Sequence, residues 1–332
     1  MDQTMMEKSA GKSVVLGATG NIGTELVRCL LQNGEMTVAF ARSEQKLNEL
    51  KRRLEEEKLP IDLLQTIKGD IFNQEELVKA CEGADTIYQS ANVPYSEWKN
   101  LLVPLAQNVV KAASSVGARI VAVDNIYGYG RRQQVLVDET HPKNPHTRKG
   151  KIRLAMEQVW MEANQSGTKV AIFKLPDFYG PDAPNTLLHY TLSAIAAGKS
   201  AMYIGDQSIA REFIYMPDAA KALVKAAAYP EAYGQAWNVP GAGSIKGSDL
   251  MSFAAEAVSY GKRVGTIGRF MMAFAGLFNR QYREYLEMMY LLEEPLILNG
   301  SAYESVFGEI PKTTYKEGIA VTIRALKNQL EQ

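Results

Sequence analysis

Short apolar runs rich in β-branched residues alternate with helical periodicity through the first half of the chain. The runs that predict strands are SVVLG (13–17), MTVAFA (36–41), LLQTIKG (63–69), DTIYQSA (85–91), RIVAVD (119–124) and KVAIFKL (169–175). Apolar strands that alternate with helices are typical of a parallel sheet with both faces covered. The pattern therefore predicts an α/β fold built on a doubly wound parallel sheet.

The pattern changes after Leu175. Helical periodicity dominates at 187–197, 218–229, 248–260 and 269–292, with short strand-like pieces at AMYI (201–204) and AWNV (236–239). This predicts a first domain over residues 1–176 and a smaller, mostly helical domain over 177–332, with part of 201–240 returning to the first. The apolar stretch FMMAFAGLF (270–278) is too short to span a membrane, and we expect it in the core or lining a pocket.

The charge of the chain is balanced, with 37 Lys and Arg residues against 37 Asp and Glu residues. No basic excess points to nucleic acid or to a membrane, so the expected partner is a small molecule. Cys29 and Cys81 lie in separate helical segments, and the N-terminal residues lack the apolar core of a signal peptide, which favours the cytoplasm. His141, His146 and His189 show no ligand spacing, and no metal site is predicted.

A glycine triplet, Gly17, Gly20 and Gly23, follows the first apolar strand and opens a helix in the stretch SVVLGATGNIGTELV. The first glycine permits a tight turn, the second lets the backbone approach a pyrophosphate, and the third allows the helix to pack closely on the strand. This context predicts a Rossmann-type dinucleotide site. The residues of the turn predicted to bind the cofactor are Gly17, Thr19, Gly20, Asn21, Ile22 and Gly23.

The end of the second strand indicates the type of cofactor. An acid there binds the ribose 2′-hydroxyl of NAD, whereas an arginine accommodates the 2′-phosphate of NADP. The sequence reads AFARSEQK, with Arg42 in place of an acid. NADP(H) is therefore favoured over NAD(H). The alternative is that Arg42 is a surface residue that pairs with Glu44 or Glu49.

Five motifs together resemble the extended short-chain dehydrogenase/reductase family, the group of NAD-dependent epimerase/dehydratases. They are GATGNIG, KGDIFN, SANV, LPDFYGPDAPN and REFIYMPDAAKALVKA, spread over nearly the whole chain. The resemblance implies that further residues border the cofactor, namely Asp70 and Ile71 at the adenine, Ala91 near the middle, and Pro176 and Phe178 at the nicotinamide end. It also implies a substrate domain after Asp177, with Arg211 reaching the substrate, and suggests a homodimer through 98–116 and 149–164, although a monomer stays open.

The chain departs from the catalytic set that the resemblance implies. Aligning VDNIYGYG and the following helix on the family pattern places Asn125 at the Ser/Thr position, Lys149 at the tyrosine and Arg153 at the lysine of Tyr-x-x-x-Lys. The literal match from Tyr95 to Lys99 is attributed to chance, because it follows the fourth strand. The residues predicted to contact substrate are Tyr95, Tyr127 and Arg211.

Lys149 and Arg153 belong to a run of four cations with Arg148 and Lys151, and are four residues apart on one helix face. We expect them to point into the cleft, as a proton donor or as a clamp for an anionic substrate, and the other two cations to face solvent. One hypothesis is an NADP(H)-dependent oxidoreductase or epimerase/dehydratase-like enzyme with atypical acid/base residues, acting on a small polar carbonyl or sugar-like compound. The other is a non-catalytic NADP(H)-binding redox sensor.

Overall fold

The computed structural model describes residues 11–184, 186–278 and 280–331, so most of the N-terminal segment considered above lies outside the described residues. The described strands are β1 (Lys12–Leu16), β2 (Met36–Ala41), β3 (Leu64–Lys68), β4 (Thr86–Gln89), β5 (Arg119–Asn125), β6 (Val170–Leu175), β7 (Asp177–Tyr179), β8 (Met202–Ile204), β9 (Ala210–Tyr215), β10 (Ala236–Asn238), β11 (Ser244–Lys246) and β12 (Gly265–Ile267).

The helices between and after these strands account for most of the remaining described chain. They are α1 (Asn21–Gln32), α2 (Glu44–Glu56), α3 (Gln74–Cys81), α4 (Trp98–Val116), α5 (Arg148–Gln165), α6 (Leu187–Ala196), α7 (Met216–Ala227), α8 (Gly247–Val258), α9 (Arg269–Phe278), α10 (Arg280–Leu286), α11 (Tyr290–Glu293), α12 (Ser301–Phe307) and α13 (Tyr315–Glu331).

The central sheet has seven strands in the order β10-β6-β5-β4-β1-β2-β3. Every neighbouring pair in it is parallel. One apolar core packs α1, α2 and α7 on one face of the sheet, and a second packs α3, α4 and α5 on the other. The α/β prediction with a doubly wound parallel sheet of Rossmann type is confirmed, and the six strands predicted from the sequence are β1 to β6.

The chain beyond β6 builds smaller units beside the carboxyl end of the sheet. β11, β9 and β7 form a three-stranded sheet, and β12 pairs with β8. A third apolar core joins α6, α8 and α13 to these strands. Within this part, β10 returns to the central sheet beside β6, where Trp237 is opposite Phe173.

The stretch 269–292, where helical periodicity dominates, forms the three helices α9, α10 and α11. α10 packs back on α9 at Gly276, where a Cβ atom would lie 3.3 Å from the backbone nitrogen of Arg283. The prediction of a core or pocket location holds for Met272, which is buried, but is wrong for the outward face of α9. Phe270 and Phe278 on that face are 92% and 80% exposed.

None of the helices within 11–184, 186–278 and 280–331 has the length and apolar character needed to cross a membrane.

Gly241 allows the chain to pass from the central sheet to the three-stranded sheet. A Cβ atom at Gly241 would lie 1.9 Å from the carbonyl oxygen of Phe213 in β9, and backbone atoms cannot yield as a side chain can. We expect Gly241→Ala to lower the free energy of unfolding by roughly 1–3 kcal/mol in urea titrations. Gly261→Ala, at an exposed site with no neighbour within 4 Å, is the control and should change it by less than about 0.5 kcal/mol. Equal midpoints for the two variants would contradict this account.

Candidate functional site

The glycine turn lies at the carboxyl end of β1, where the strand order reverses between β1 and β4. Gly17 has a φ of +79°, and a Cβ atom there would lie 2.6 Å from the Cα atom of Ala91. A Cβ atom at Gly23 would lie 2.2 Å from the carbonyl oxygen of Gly17. Neither position has room for a side chain, so the turn holds the first helix directly against the strand ends, which is where open α/β sheets bind nucleotides.

The N-terminus of α1 opens towards the crevice. Its N-cap is Gly20, which supplies no side-chain hydrogen bond, so the amide groups of the first turn are available to an anion. Asn21 donates from Nδ2 to the carbonyl oxygen of Pro184 at 2.9 Å, which ties the helix start to the loop after β7. Thr19 is half-buried in the turn. Uncapped amide groups at the start of a helix are a common binding site for phosphate groups.

Arg42 directly follows β2, and its side chain is exposed. No described residue forms an ion pair with it. Of the two acids that could have paired with Arg42, Glu44 lies 3.6 Å from Lys68, and Glu49 accepts a hydrogen bond from Gln45. The guanidinium group is therefore available at the strand end where the 2′ position of a bound dinucleotide is read.

Asp70 and Ile71 follow β3, next to the end of β2. The backbone nitrogen of Asp70 donates to Glu76 at 2.8 Å, and its carboxylate accepts from the backbone nitrogen of Phe72 at 3.0 Å. Ile71 is buried in the core between the sheet and α3. Asp70 thus shapes a turn at this edge.

A cavity of about 260 Å³ extends from the glycine turn past the ends of β4, β5 and β6 to α9 and α11. The predicted residues that line it are Asn21, Ile22, Ala91, Tyr95, Asn125, Tyr127, Arg153, Pro176 and Phe178. The predicted residues outside its lining are Gly17, Thr19, Gly20, Gly23, Arg42, Asp70, Ile71, Lys149 and Arg211. The structure thus gathers the predicted middle and nicotinamide positions around one space with Asn125 from β5 and Arg153 from α5.

Two tyrosine hydroxyl groups meet at the wall of this cavity. Asn125, the last residue of β5, accepts a hydrogen bond on Oδ1 from the backbone nitrogen of Tyr127 at 3.1 Å and so begins a short 3-10 turn. The hydroxyl oxygens of Tyr127 and Tyr95 are 2.9 Å apart. Burial raises the pKa of Tyr95 to about 12, and burial together with Tyr95 raises the pKa of Tyr127 well above its usual value. Both phenols therefore stay protonated at neutral pH.

Asp124 lies beneath these tyrosines at the centre of a buried group of charges. Its Oδ1 is 3.3 Å from Nη1 of Arg153, and its Oδ2 is 3.0 Å from Nζ of Lys174. Lys174 also contacts Glu157 at 2.9 Å, and Lys143 pairs with that same glutamate. Burial opposes the ionised form of Asp124, but the two cations outweigh burial and lower the pKa of Asp124.

The guanidinium carbon of Arg153 lies 4.4 Å from the ring centroid of Trp98. Nη1 of Arg153 donates a hydrogen bond to Asp124, while Nε of Arg153 is buried with no partner among the described residues. A guanidinium stacked on an aromatic face in this way is held in place and cannot release its proton. Arg153 is thus a fixed positive charge at the cavity wall.

Lys149 does not point into the cavity as the sequence predicted. Its side chain is 1% exposed, and its Nζ lies 2.5 Å from Glu284 and 3.0 Å from Glu287. Its backbone nitrogen also donates to Glu287, and Arg148 contacts Glu284 at 3.2 Å. Ion pairs from Arg148 and Lys149 to Glu284 and Glu287 therefore hold the start of α5 against the segment from α10 to α11. We call this group of ion pairs the latch. Lys151 is exposed, as expected.

Arg211 is buried beside the cavity, and the cavity wall nearest to it is formed by Asp177. Nη2 of Arg211 lies 2.8 Å from Oδ2 of Asp177, while Nη1 donates to the hydroxyl of Tyr203 and the carbonyl of Ile204, both at 3.3 Å. Its guanidinium group is therefore already engaged by protein atoms.

Sequence reasoning missed Asp124, Lys174, Asp177, Glu284 and Glu287. Asp124 and Lys174 had a signal, because each is a charged residue at the end of an otherwise apolar strand. The two glutamates had none, since they lie more than 130 positions from Lys149 in the chain. Among the described residues, no cluster of His, Cys, Asp or Glu could hold a metal ion.

Solved structures with the same fold include two sugar-nucleotide enzymes. The UDP-glucuronic acid 4-epimerase of Bacillus cereus in complex with NAD has a TM-score of 0.79 at 18% identity, over 97% of this chain and 100% of that chain. The dTDP-glucose 4,6-dehydratase of Bacillus anthracis in complex with NAD has a TM-score of 0.79 at 16% identity, over 97% and 98% of the two chains. At these identities the likeness concerns the fold.

Two curated proteins of Arabidopsis thaliana are similar in sequence over part of their length. Anthocyanidin reductase is 26% identical over 150 residues, which cover 39% of this chain and 43% of the relative. The 3beta-hydroxysteroid-dehydrogenase/decarboxylase isoform 2 is 25% identical over 244 residues, which cover 66% of this chain and 42% of the relative. The matched parts are thus less than half of either relative.

The sequence model of the NAD dependent epimerase/dehydratase family matches residues 13–239. This range begins in β1, includes the glycine turn, Asn125, Arg153 and Arg211, and ends just after β10. By this match, together with the seven-stranded sheet and its crevice, the chain belongs to the NAD dependent epimerase/dehydratase family.

Proposed function

We propose that this protein is an NADP(H)-dependent reductase of a carbonyl compound, with an acid/base group other than the tyrosine of Tyr-x-x-x-Lys. The observation that carries the proposal is the cavity that joins the glycine turn to Asn125, Tyr127 and Arg153. A non-catalytic sensor needs the cofactor part of this cavity, but not its extension past the predicted nicotinamide position to α9 and α11. The cavity therefore favours the enzyme over the sensor.

The residues present fit a dinucleotide. The turn leaves no side chain at Gly17 or Gly23, and the start of α1 is free of a side-chain cap. Arg42, which no described residue neutralises, supports NADP(H) over NAD(H), although the related solved structures contain NAD. When bound, the nicotinamide supplies the hydride for reduction of a carbonyl carbon.

Tyr127 is the proton donor in this proposal. Burial raises the pKa of Tyr127, so its hydroxyl group carries a proton, and this hydroxyl lies at the cavity wall where a carbonyl oxygen can accept that proton. As the carbonyl carbon gains the hydride, the carbonyl oxygen takes the proton of the Tyr127 hydroxyl, which is then restored from solvent through Tyr95. The protonated state of both tyrosines thus supports reduction rather than oxidation.

Arg153 and Asn125 stabilise the charge that develops during this step. The guanidinium of Arg153 is a permanent cation at the cavity wall, and the Nδ2 amide of Asn125 has no partner among the described residues. Preorganised donors near a developing oxyanion lower the barrier without reorganising. Lys149, which the sequence placed at the catalytic tyrosine, acts here as a positioning residue that holds α10 against α5.

The sugar-like substrate predicted from the sequence has support from the solved neighbours, which include a UDP-glucuronic acid 4-epimerase, a dTDP-glucose 4,6-dehydratase and a protein in complex with UDP-glucose. The curated relatives instead include a reductase and a hydroxysteroid dehydrogenase. The reaction class common to a carbonyl reductase and a sugar oxidoreductase is hydride transfer at one carbon. The proposed function is therefore hydride transfer to a single carbonyl carbon.

Arg42→Ala tests the cofactor. A charge-assisted contact with a phosphate contributes on the order of 1.5–3 kcal/mol, so the dissociation constant for NADPH should rise roughly tenfold or more while that for NADH stays the same. Isothermal titration calorimetry measures both. Arg52→Ala, on the exposed face of α2 where Arg52 pairs with Glu56, is the control and should change neither. An equal loss for both cofactors in the Arg42 variant would show that Arg42 does not read the 2′-phosphate.

Tyr127→Phe tests the proton donor. Removing a general acid typically costs a hundredfold or more in rate, so kcat for carbonyl reduction should fall by about that factor, with NADPH affinity unchanged in calorimetry. Tyr95→Phe removes the other hydroxyl of the pair and should cost less, because Tyr95 acts through Tyr127. A Tyr127→Phe enzyme with full kcat would remove Tyr127 from the mechanism.

The Lys149→Met variant tests whether Lys149 acts through its ion pairs or as a proton donor. We compare it with Glu284→Gln, which weakens the same ion pairs but keeps the lysine. If Lys149 only holds α10, both variants lower kcat/KM to a similar extent, and the pH dependence of kcat keeps the same shape as in the unmodified enzyme. If Lys149→Met alone abolishes the rate and removes one ionisation from the pH profile, Lys149 is the acid that the sequence predicted.

A further inference from the structure

The far end of the cavity differs in chemistry from the end at β5. Beyond the tyrosines, the wall is formed by a contiguous apolar cluster of Met272, Met289 and Leu292, with Leu187 and Ile204 packed against it. All five line the cavity. This cluster comes from α6, β8 and the segment from α9 to α11, so the elements after β6 supply an apolar surface that faces the crevice.

The charges around the cavity do not suit a nucleoside diphosphate. Arg153 is the one cation in its lining among the described residues, and it lies at the β5 end beside Asp124. The lining also holds the carboxylates of Asp124 and Asp177. Binding of a diphosphate in water-poor surroundings requires cations or clustered amide donors close to its oxygens. The apolar end provides neither.

Arg211, the cation expected to reach the substrate, is already committed. Its Nη2 is paired with Asp177 at 2.8 Å, and its Nη1 donates to Tyr203 and Ile204. The side chain is 3% exposed. To bind a phosphate, Arg211 would have to give up its ion pair with Asp177, whose side chain is 40% exposed, and its hydrogen bonds to Tyr203 and Ile204.

We infer that the substrate is a carbonyl compound with an uncharged, apolar body, and that it is not a nucleotide sugar. The carbonyl group lies at Tyr127 and Arg153, and the apolar body packs against the cluster around Met272. The inference deepens the proposed function and rests on it for the position of the carbonyl. It replaces the small polar or sugar-like substrate with an aldehyde or ketone whose recognition comes from burial of apolar surface.

Met272 and its neighbour Met271 offer a matched pair for the test. Met272 faces the cavity and is buried, whereas Met271 lies on the outward face of the same helix and is 52% exposed. Glutamine has nearly the same length as methionine, so Met272→Gln adds an amide to the apolar wall with little change in shape. Met271→Gln makes the same chemical change in solvent.

The probes are 2-naphthaldehyde, glyceraldehyde and UDP-4-keto-6-deoxyglucose, each of which carries a carbonyl group, with NADPH oxidation as the rate measurement. We expect 2-naphthaldehyde to be reduced with a kcat/KM at least tenfold above that of the other two. Met272→Gln should lower kcat/KM for 2-naphthaldehyde tenfold or more, mainly through KM, and Met271→Gln should leave it unchanged. Calorimetry should give the same NADPH affinity for both variants. Preferred turnover of the UDP-4-keto sugar would overturn the inference, as would equal kinetics of the two variants.

A binding measurement separates this inference from the proposed function. Calorimetry measures the binding of 2-naphthaldehyde and of UDP to the NADP⁺-saturated protein. The unmodified protein and both variants are compared. One outcome is that 2-naphthaldehyde binds, and binds more weakly to Met272→Gln, but none of the carbonyl probes is reduced. This outcome would support the apolar binding site and contradict the proposed reductase activity. If UDP binds and 2-naphthaldehyde does not, the apolar substrate is wrong, whatever the enzyme reduces.

Discussion

The charge of Asp124 has to be balanced inside the protein, and the rest of the site depends on how this is done. A carboxylate at the end of a buried strand is costly unless cations and hydrogen bonds compensate it. Lys174 on β6 and Arg153 on α5 both contact Asp124, and Glu157 then balances Lys174. Three elements are thereby fixed to one another at the carboxyl edge of the sheet, which positions the start of α5 and the floor of the cavity.

The same charge group accounts for the position of the polar residues that face the cavity. Asn125 follows Asp124 in the chain and turns the backbone by accepting from Tyr127, so the Tyr127 hydroxyl reaches the space above Arg153. Arg153, which the family resemblance placed at the lysine of Tyr-x-x-x-Lys, is held by its ion pair with Asp124 and by the ring of Trp98. An arginine in this setting supplies charge but no proton, which leaves proton donation to another residue.

The sequence alone predicted the features that local pattern determines. The apolar strands, the glycine turn and the strand-end Arg42 all follow from spacing within a few residues, and the sheet was confirmed. The ion pair between Lys149 and Glu284 could not be predicted, because the sequence pattern does not show which charged residues far apart in the chain form contacts. The division of 269–292 into three helices could not be predicted either, since the helical periodicity is continuous and gives no sign that α10 packs back on α9 at Gly276.

The latch also bears on the chemistry of the tyrosines. Because Lys149 and Arg148 hold Glu284 and Glu287, the segment that carries these glutamates is fixed over the cavity. Tyr285 on that segment packs its ring 5.5 Å from the ring of Tyr95, which removes water from one side of the hydroxyl pair. Loss of water is the main reason why the pKa of Tyr95 rises to about 12. Ion pairs outside the cavity lining therefore help to hold Tyr285 against Tyr95, and the cation run contributes to the burial of the hydroxyl pair without touching the reacting atoms.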